Sequence, residues 1–232
     1  MKIRRIMRIL VASEGYPRDV KFGDEKIFLS IIDSKRFKED KIIERRREIE
    51  IEEDHFVTLG DPVDEIVKFS NALNVDFIIV DDINLGLNVS FRISKPVLIL
   101  KCEDPFRKGL ICYNPIFFNF AIKRMLSSLP FKELHVLHVL EPIFSQNSGM
   151  KRLIIDVKSL LNEVKLKVKR VKEVHVRVGD PANEILETAK ELNVTCVVMS
   201  VGRTTEDVAM KFESSILVWR DLMKRNGFIQ RV

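Results

Sequence analysis

The chain has 232 residues, a hydrophobic fraction of 46% and Lys+Arg 39 against Asp+Glu 34, a net charge of +5; that is room for two domains of roughly 110 residues, each with its own core. The basic excess is mild, spread over both halves and interleaved with acids, which argues against a nucleic-acid surface and for solubility. No apolar run approaches the roughly 20 residues of a membrane span, and the basic stretch 1–8 leads into Glu14 and Pro17 without a cleavable signal pattern, so a cytoplasmic protein is expected.

In chain order, Ile9-Leu10-Val11-Ala12 reads as an opening strand, followed over 15–24 by a loop composition with no room for a helix before a strand at 26–32. The alternative keeps 3–13 as a helix with the first strand lost. A strand at 56–59, a helix at 62–74, a strand at 77–80 and, after Lys95-Pro96, a strand at 97–100 complete the first half. Residues 106–109 form a joint too short to be a flexible tether. The expected domains are therefore 1–104 and 107–221, with a tail at 222–232.

The second half begins with a strand at 108–113 and a helix carrying Phe117, Phe118, Ala121, Ile122, Met125 and Leu129 at helical spacing. A strand at 134–140 follows, then a loop with Gln146-Asn147-Ser148-Gly149. A long helix is expected next, with Met150, Leu153, Ile154, Val157, Leu160, Leu161, Val164 and Val168 on its apolar face. A strand at 174–178, a helix from Pro181, a strand at 196–199, a short helix at 204–213 and a strand at 216–219 end the pattern. Cys102, Cys112 and Cys196 sit in or beside apolar runs and read as reduced core residues.

One phrase occurs twice. Gly60-Asp61-Pro62 is answered by Gly179-Asp180-Pro181, and Leu73-Asn74-Val75 by Leu192-Asn193-Val194, both at an offset of 119 positions. The same domain is duplicated. Asp61 and Asp180 each precede a proline at a helix start, where capping explains them without a catalytic role. Strands alternating with helices need crossover connections, which predicts a parallel sheet covered on both faces in each half.

With Ile9-Leu10-Val11-Ala12-Ser13-Glu14-Gly15, the two Gly-Asp-Pro helix starts, the two Leu-Asn-Val segments before apolar strands, and Lys95-Pro96-Val97-Leu98-Ile99-Leu100, the chain resembles the universal stress protein family in its tandem two-domain form. The resemblance implies two doubly wound parallel-sheet α/β sandwich domains of the adenine nucleotide alpha hydrolase type, paired as a pseudo-dimer within one chain. It also implies a crevice at the carboxyl ends of the strands that binds ATP in many members, through two glycines separated by two residues and a later Gly-Ser or Gly-Thr. Glycines serve there because backbone amides approach phosphate oxygens and a β-carbon would stand in the way.

That glycine pattern fails in both copies. After Val80 stand Asp81-Asp82-Ile83-Asn84-Leu85-Gly86, with one glycine and two carboxylates; after Met199 stand Ser200-Val201-Gly202-Arg203-Thr204-Thr205, again with one glycine. The family's acidic residue after the first strand is Glu14 in one copy and Asn114 in the other.

Asp81 and Asp82 lie where ligands bind in open α/β sheets and are candidates for a metal ion or an acid/base pair; the simpler reading is a solvated strand end that starts a loop. Gly202-Arg203-Thr204-Thr205 offers amides, hydroxyls and a guanidinium to an anion, or is a helix capped by threonine. His135 and His138, three apart in a strand, point to opposite faces and cannot chelate together. His55 and His175 are taken as surface or interface residues. The basic run 165–172 alternates with aliphatics, carries no aromatics for base stacking and reads as a solvated helix end.

The sequence thus favours a non-enzymatic regulatory or scaffold protein working through protein partners, with a possible homodimer, no membrane, no cofactor and little or no ATP binding. The alternative is a protein that binds ATP, AMP or another anion using Glu14, Asp81, Gly86, Asn114, Ser200, Gly202, Arg203 and Thr204, foremost in the second domain around Asn114, Ser200 and Gly202. A third reading is an enzyme using Asp81 and Asp82.

Overall fold

A computed structural model describes residues 7–14, 20–36, 41, 55–112, 125–141, 149–168 and 170–220. They fall into two units, one running to Leu100 and taking in the segment from Val218, the other Lys101–Leu217. Lys101 and Cys102, grouped with the first domain in the sequence reading, are tied into the second unit, where both backbone amides donate to Ser215 Oγ at 3.0 and 3.3 Å.

The first unit runs β1 (Arg8–Ser13), β2 (Glu25–Asp33), β3 (His55–Gly60), α1 (Pro62–Ala72), β4 (Phe77–Val80), α2 (Ile83–Arg92) and β5 (Val97–Ile99). Its strands lie in the order β3-β2-β1-β4-β5, with β1–β2, β1–β4, β2–β3 and β4–β5 all parallel. Residues 8–13 are therefore a strand, as preferred over a helix. β1, β4 and β5 bury nearly every side chain, including Ile9, Leu10, Ile78, Ile79, Val97 and Leu98, the pattern of a parallel sheet covered on both faces.

The second unit runs β6 (Lys108–Cys112), β7 (Glu133–Leu140), α3 (Gly149–Lys167), β8 (Val171–Val178), α4 (Pro181–Glu191), β9 (Cys196–Ser200), α5 (Arg203–Lys211) and β10 (Ser215–Trp219), the last two residues of β10 counting with the first unit. Its order is β10-β9-β6-β7-β8, the same arrangement with each strand replaced by its repeat. The sheet order reverses between β1 and β4, and again between β6 and β9, which fixes where a crevice opens.

The repeated phrases have local physical causes. Asp61 caps α1 by accepting from the amides of Val63 and Asp64 at 3.1 and 3.4 Å, and Asp180 caps α4 by accepting from Asn183 at 3.0 Å; a proline follows each at the first helical position. At the other end Asn74 and Asn193 take left-handed φ of 48° and 51°. The amides of Val75 and Val194 then reach back to the carbonyls of Ser70 and Ala189 at 3.2 and 2.9 Å. This is a Schellman closure with asparagine in the left-handed position, followed by a buried valine that begins the return to the sheet.

Several expectations need correction. Residues 83–92, for which the sequence named no element beyond a loop starting at Asp81 and Asp82, form α2. On α3, Val157, Leu161 and Val164 are buried, as is Val168 just past its end, but Leu160 is 45% exposed, because adjacent residues sit about 100° apart on a helix and Leu161 takes the inward direction. Val171 and Lys172, read as part of a helix end, open β8. Of the helix expected around 117–129, residues 125–128 are helical and those up to 124 lie outside the described residues. Gly149, expected in the loop before α3, opens the helix, while Gln146, Asn147 and Ser148 of that loop and the tail 222–232 also lie outside the described residues.

Candidate functional site

In the first unit β1 ends at Ser13, whose Oγ donates to Asp81 Oδ2 at 3.3 Å across the switch point. Val11, Ala12, Ser13, Ile79, Val80, Asp81 and Leu100 line a pocket of about 10 Å³, room for about one water molecule. At the carboxyl ends of β1, β2 and β3, Arg36 pairs with Glu14 at 2.6 Å and with Asp33 at 3.3 Å, and Lys35 pairs with Asp61 at 2.9 Å. Burial holds the Glu14 carboxyl above its ordinary range; Arg36 opposes this, while Asp33, Asp82 and Asp61 add to it. Carboxylates on the ends of neighbouring strands make this a poor place for a phosphate chain.

Asp81 and Asp82 do not act as a pair. Asp81 turns to Ser13, whereas Asp82 caps α2, with Oδ1 accepting from the Leu85 amide at 2.7 Å. The reading of Asp82 as a solvated loop residue is thus replaced by a helix cap. Gly86 lies inside α2, where a β-carbon would come within 2.5 Å of Ile99 Cγ1 and 2.8 Å of Val80 Cγ2. Its smallness lets the helix lie against β4 and β5. No phosphate is needed to explain it.

The second unit differs at the matching place. β9 ends at Ser200 and α5 begins at Arg203, with Gly202 as N-cap and no side chain capping the first amides. A β-carbon on Gly202 would meet nothing within 4 Å. Thr205 is buried and its Oγ1 donates back to the Ser200 carbonyl at 2.7 Å, so the helix is not capped by threonine as one sequence reading had it. Ser200, Gly202, half-buried Thr204 and exposed Arg203 are brought together here. Asn114 lies outside the described residues.

The histidines depart from the sequence reading. His55 is buried beside Ser30, with Nε2 2.8 Å from its Oγ, and His175 lies 3.2 Å from buried His135. Neither is a surface residue waiting for a partner. The signal that joins His135 to His175 is the register of β7 on β8, which spacing along the chain does not carry. Cys102, Cys112 and Cys196 are all free thiols, and burial pushes the thiols of Cys112 and Cys196 far up in pKa.

Residues 120–218 match the Universal stress protein family. The chain is similar in structure to a universal stress protein from Archaeoglobus fulgidus DSM 4304, with a TM-score of 0.63 at 16% identity, covering 92% of this chain and 96% of that one. It is also similar to a functionally unknown protein from Pseudomonas aeruginosa PAO1, with a TM-score of 0.58 at 17% identity, covering 93% of each chain. At such identities the likeness shows the fold. No curated protein matches the sequence.

Proposed function

We propose, for a chain whose residues 120–218 match the universal stress protein family and whose first unit repeats the strand order of the second, that it acts as a non-enzymatic regulatory or scaffold protein through protein partners, with no nucleotide held in its first unit. The observation that carries this reading is the conversion of the segment after β4 into α2. Where the family resemblance implies a phosphate loop, the Asp82 carboxylate already caps the first turn by accepting from the Leu85 amide, and the space beside the single glycine is filled by Ile99 and Val80. Glu14, Asp33, Asp61 and Asp81 surround that start with further negative charge. A reducing, cytoplasmic setting accords with three free thiols, and among the described residues no helix is long and apolar enough to cross a membrane.

A second reading, an ATP, AMP or other anion site in the second unit, is favoured by one contrast. The helix after β4 is capped by a carboxylate and the helix after β9 by a glycine with open space around it. Free amides at a helix start, next to Arg203, suit an anion. Calorimetric titration of the full chain with ATP and with AMP separates the readings. The scaffold reading expects no heat of binding. A 1:1 complex abolished by Gly202→Asp, which supplies the carboxylate cap that α2 has, assigns the anion to the second unit; a complex indifferent to Gly202→Asp and tightened in Asp82→Lys contradicts the account of the first.

A further inference from the structure

The outer strands of the second unit carry a set of metal-ligating side chains apart from the start of α5. β7 and β8 run parallel with His135 opposite Glu173 and Leu137 opposite His175. Residues two apart on a strand share a face, so His135, Glu173 and His175 project together, as does Glu133. His135 Nδ1 lies 3.2 Å from His175 Nε2, and His175 Nε2 lies 3.9 Å from Glu173 Oε2. The ligand atoms of all three residues fall within 4.8 Å of one another.

The proton arrangement favours coordination. Glu133 Oε1 sits 2.8 Å from His135 Nε2; an ionised carboxylate only accepts, so it fixes the proton on Nε2 and leaves the Nδ1 lone pair facing His175, whose Nε2–H donates to it without a metal and whose proton moves to Nδ1 when a cation takes its place. This is the carboxylate–histidine pairing that orients imidazole ligands on metals. Glu133 is itself held by Lys172 at 2.6 Å and Lys108 at 3.1 Å, which keeps it as an orienting group and leaves the carboxylate ligand to Glu173. Two imidazole nitrogens on a tetrahedral zinc, at Zn–N distances of about 2.0–2.1 Å, stand about 3.3–3.4 Å apart. The histidine nitrogens are already at nearly that separation. The Glu173 side chain is 66% exposed and closes the remaining gap by rotation. Two nitrogens and one oxygen suit a borderline divalent ion, not calcium or magnesium, which take six or more oxygens, nor copper(I), which takes sulfur.

We infer that His135, Glu173 and His175 form a binding site for a zinc-class divalent cation, with Glu133 positioning His135 and the fourth coordination position open to solvent. The test uses the full chain, stripped with a chelator and titrated with Zn²⁺ by calorimetry and with Co²⁺ by visible absorption. The expected result is one ion per chain with a d–d band and no thiolate charge-transfer band. His175→Gln and Glu173→Gln each weaken binding by about tenfold or more, and Glu133→Gln weakens it by about 10–100-fold through the orienting bond alone. Both lead variants lie at half-buried or exposed positions, so the test does not depend on replacing buried His135, and circular dichroism without metal verifies their fold. Absence of 1:1 uptake, unchanged affinity in His175→Gln, or a thiolate charge-transfer band would each overturn the assignment.

Discussion

Gly86 and Ile99 are in contact so close that a β-carbon on the glycine would lie 2.5 Å from Ile99 Cγ1. The glycine after β9, Gly202, has open space instead, with an extended φ of 177° that any residue adopts. Valine therefore distinguishes a packing glycine from an open one. Gly86→Val is expected to cost about 1–3 kcal/mol by overpacking, and Gly202→Val to stay within about 0.5 kcal/mol of wild type. Urea unfolding of the two variants measures both; equal costs would remove the distinction between the two units.

Asp82 accepts from the Leu85 amide at 2.7 Å and is the side chain that holds the start of α2. Asp82→Ala is expected to destabilise the protein by about 0.5–2 kcal/mol, and Asp82→Asn, which keeps an acceptor oxygen, by less. Thermal unfolding of the pair tests this. If alanine and asparagine cost the same, the cap is not what anchors the helix.

Glu133 gives a pH signature. The hydrogen bond from Lys172, then that from His135, with Lys108 adding, hold its carboxyl down at about 2, against 4.5 in the absence of partners. A carboxyl whose folded pKa is depressed favours the folded state above its unfolded pKa, and that contribution is lost as the pH falls through the folded value. Between pH 4.5 and about 2 the wild type should lose stability more steeply than Glu133→Gln, while at pH 7 the variant is the less stable of the two. Denaturant midpoints across that range decide it; parallel acid limbs would count against the pairing.

Lys101 reaches from the start of the second unit to the end of α5, donating from Nζ to the carbonyls of Ala209 and Phe212 at 2.7 and 2.6 Å. A cation there answers both the unsatisfied carbonyls and the helix dipole. Lys101→Met is expected to cost about 1–3 kcal/mol and to speed hydrogen exchange in α5 more than in α4. Uniform exchange in both helices would contradict a local role.

What the sequence carried clearly was local. The Gly-Asp-Pro and Leu-Asn-Val phrases announced two helices because a cap, a proline at the first helical position and a left-handed asparagine each act within a few residues, and strand 77–80 was legible as an unbroken apolar run. α2 was not, because Asn84, Gly86, Asn88 and Ser90 are poor helix formers and the burial of Leu85, Leu87 and Val89 overrides them. The fate of Asp81 and Asp82 followed from that helix and was hidden with it. The pairing of His135 with His175 was illegible for another reason: 40 residues separate them, and only the register of β7 on β8 brings them together.

The most direct measurement denatures freshly purified full-length protein, releases whatever small molecule it carries and quantifies that molecule by mass spectrometry. No nucleotide is expected to be released in stoichiometric amount. A near-stoichiometric adenine nucleotide that persists in Gly202→Asp would place it in the first unit and contradict the reading of α2 as a helix that closes the phosphate position.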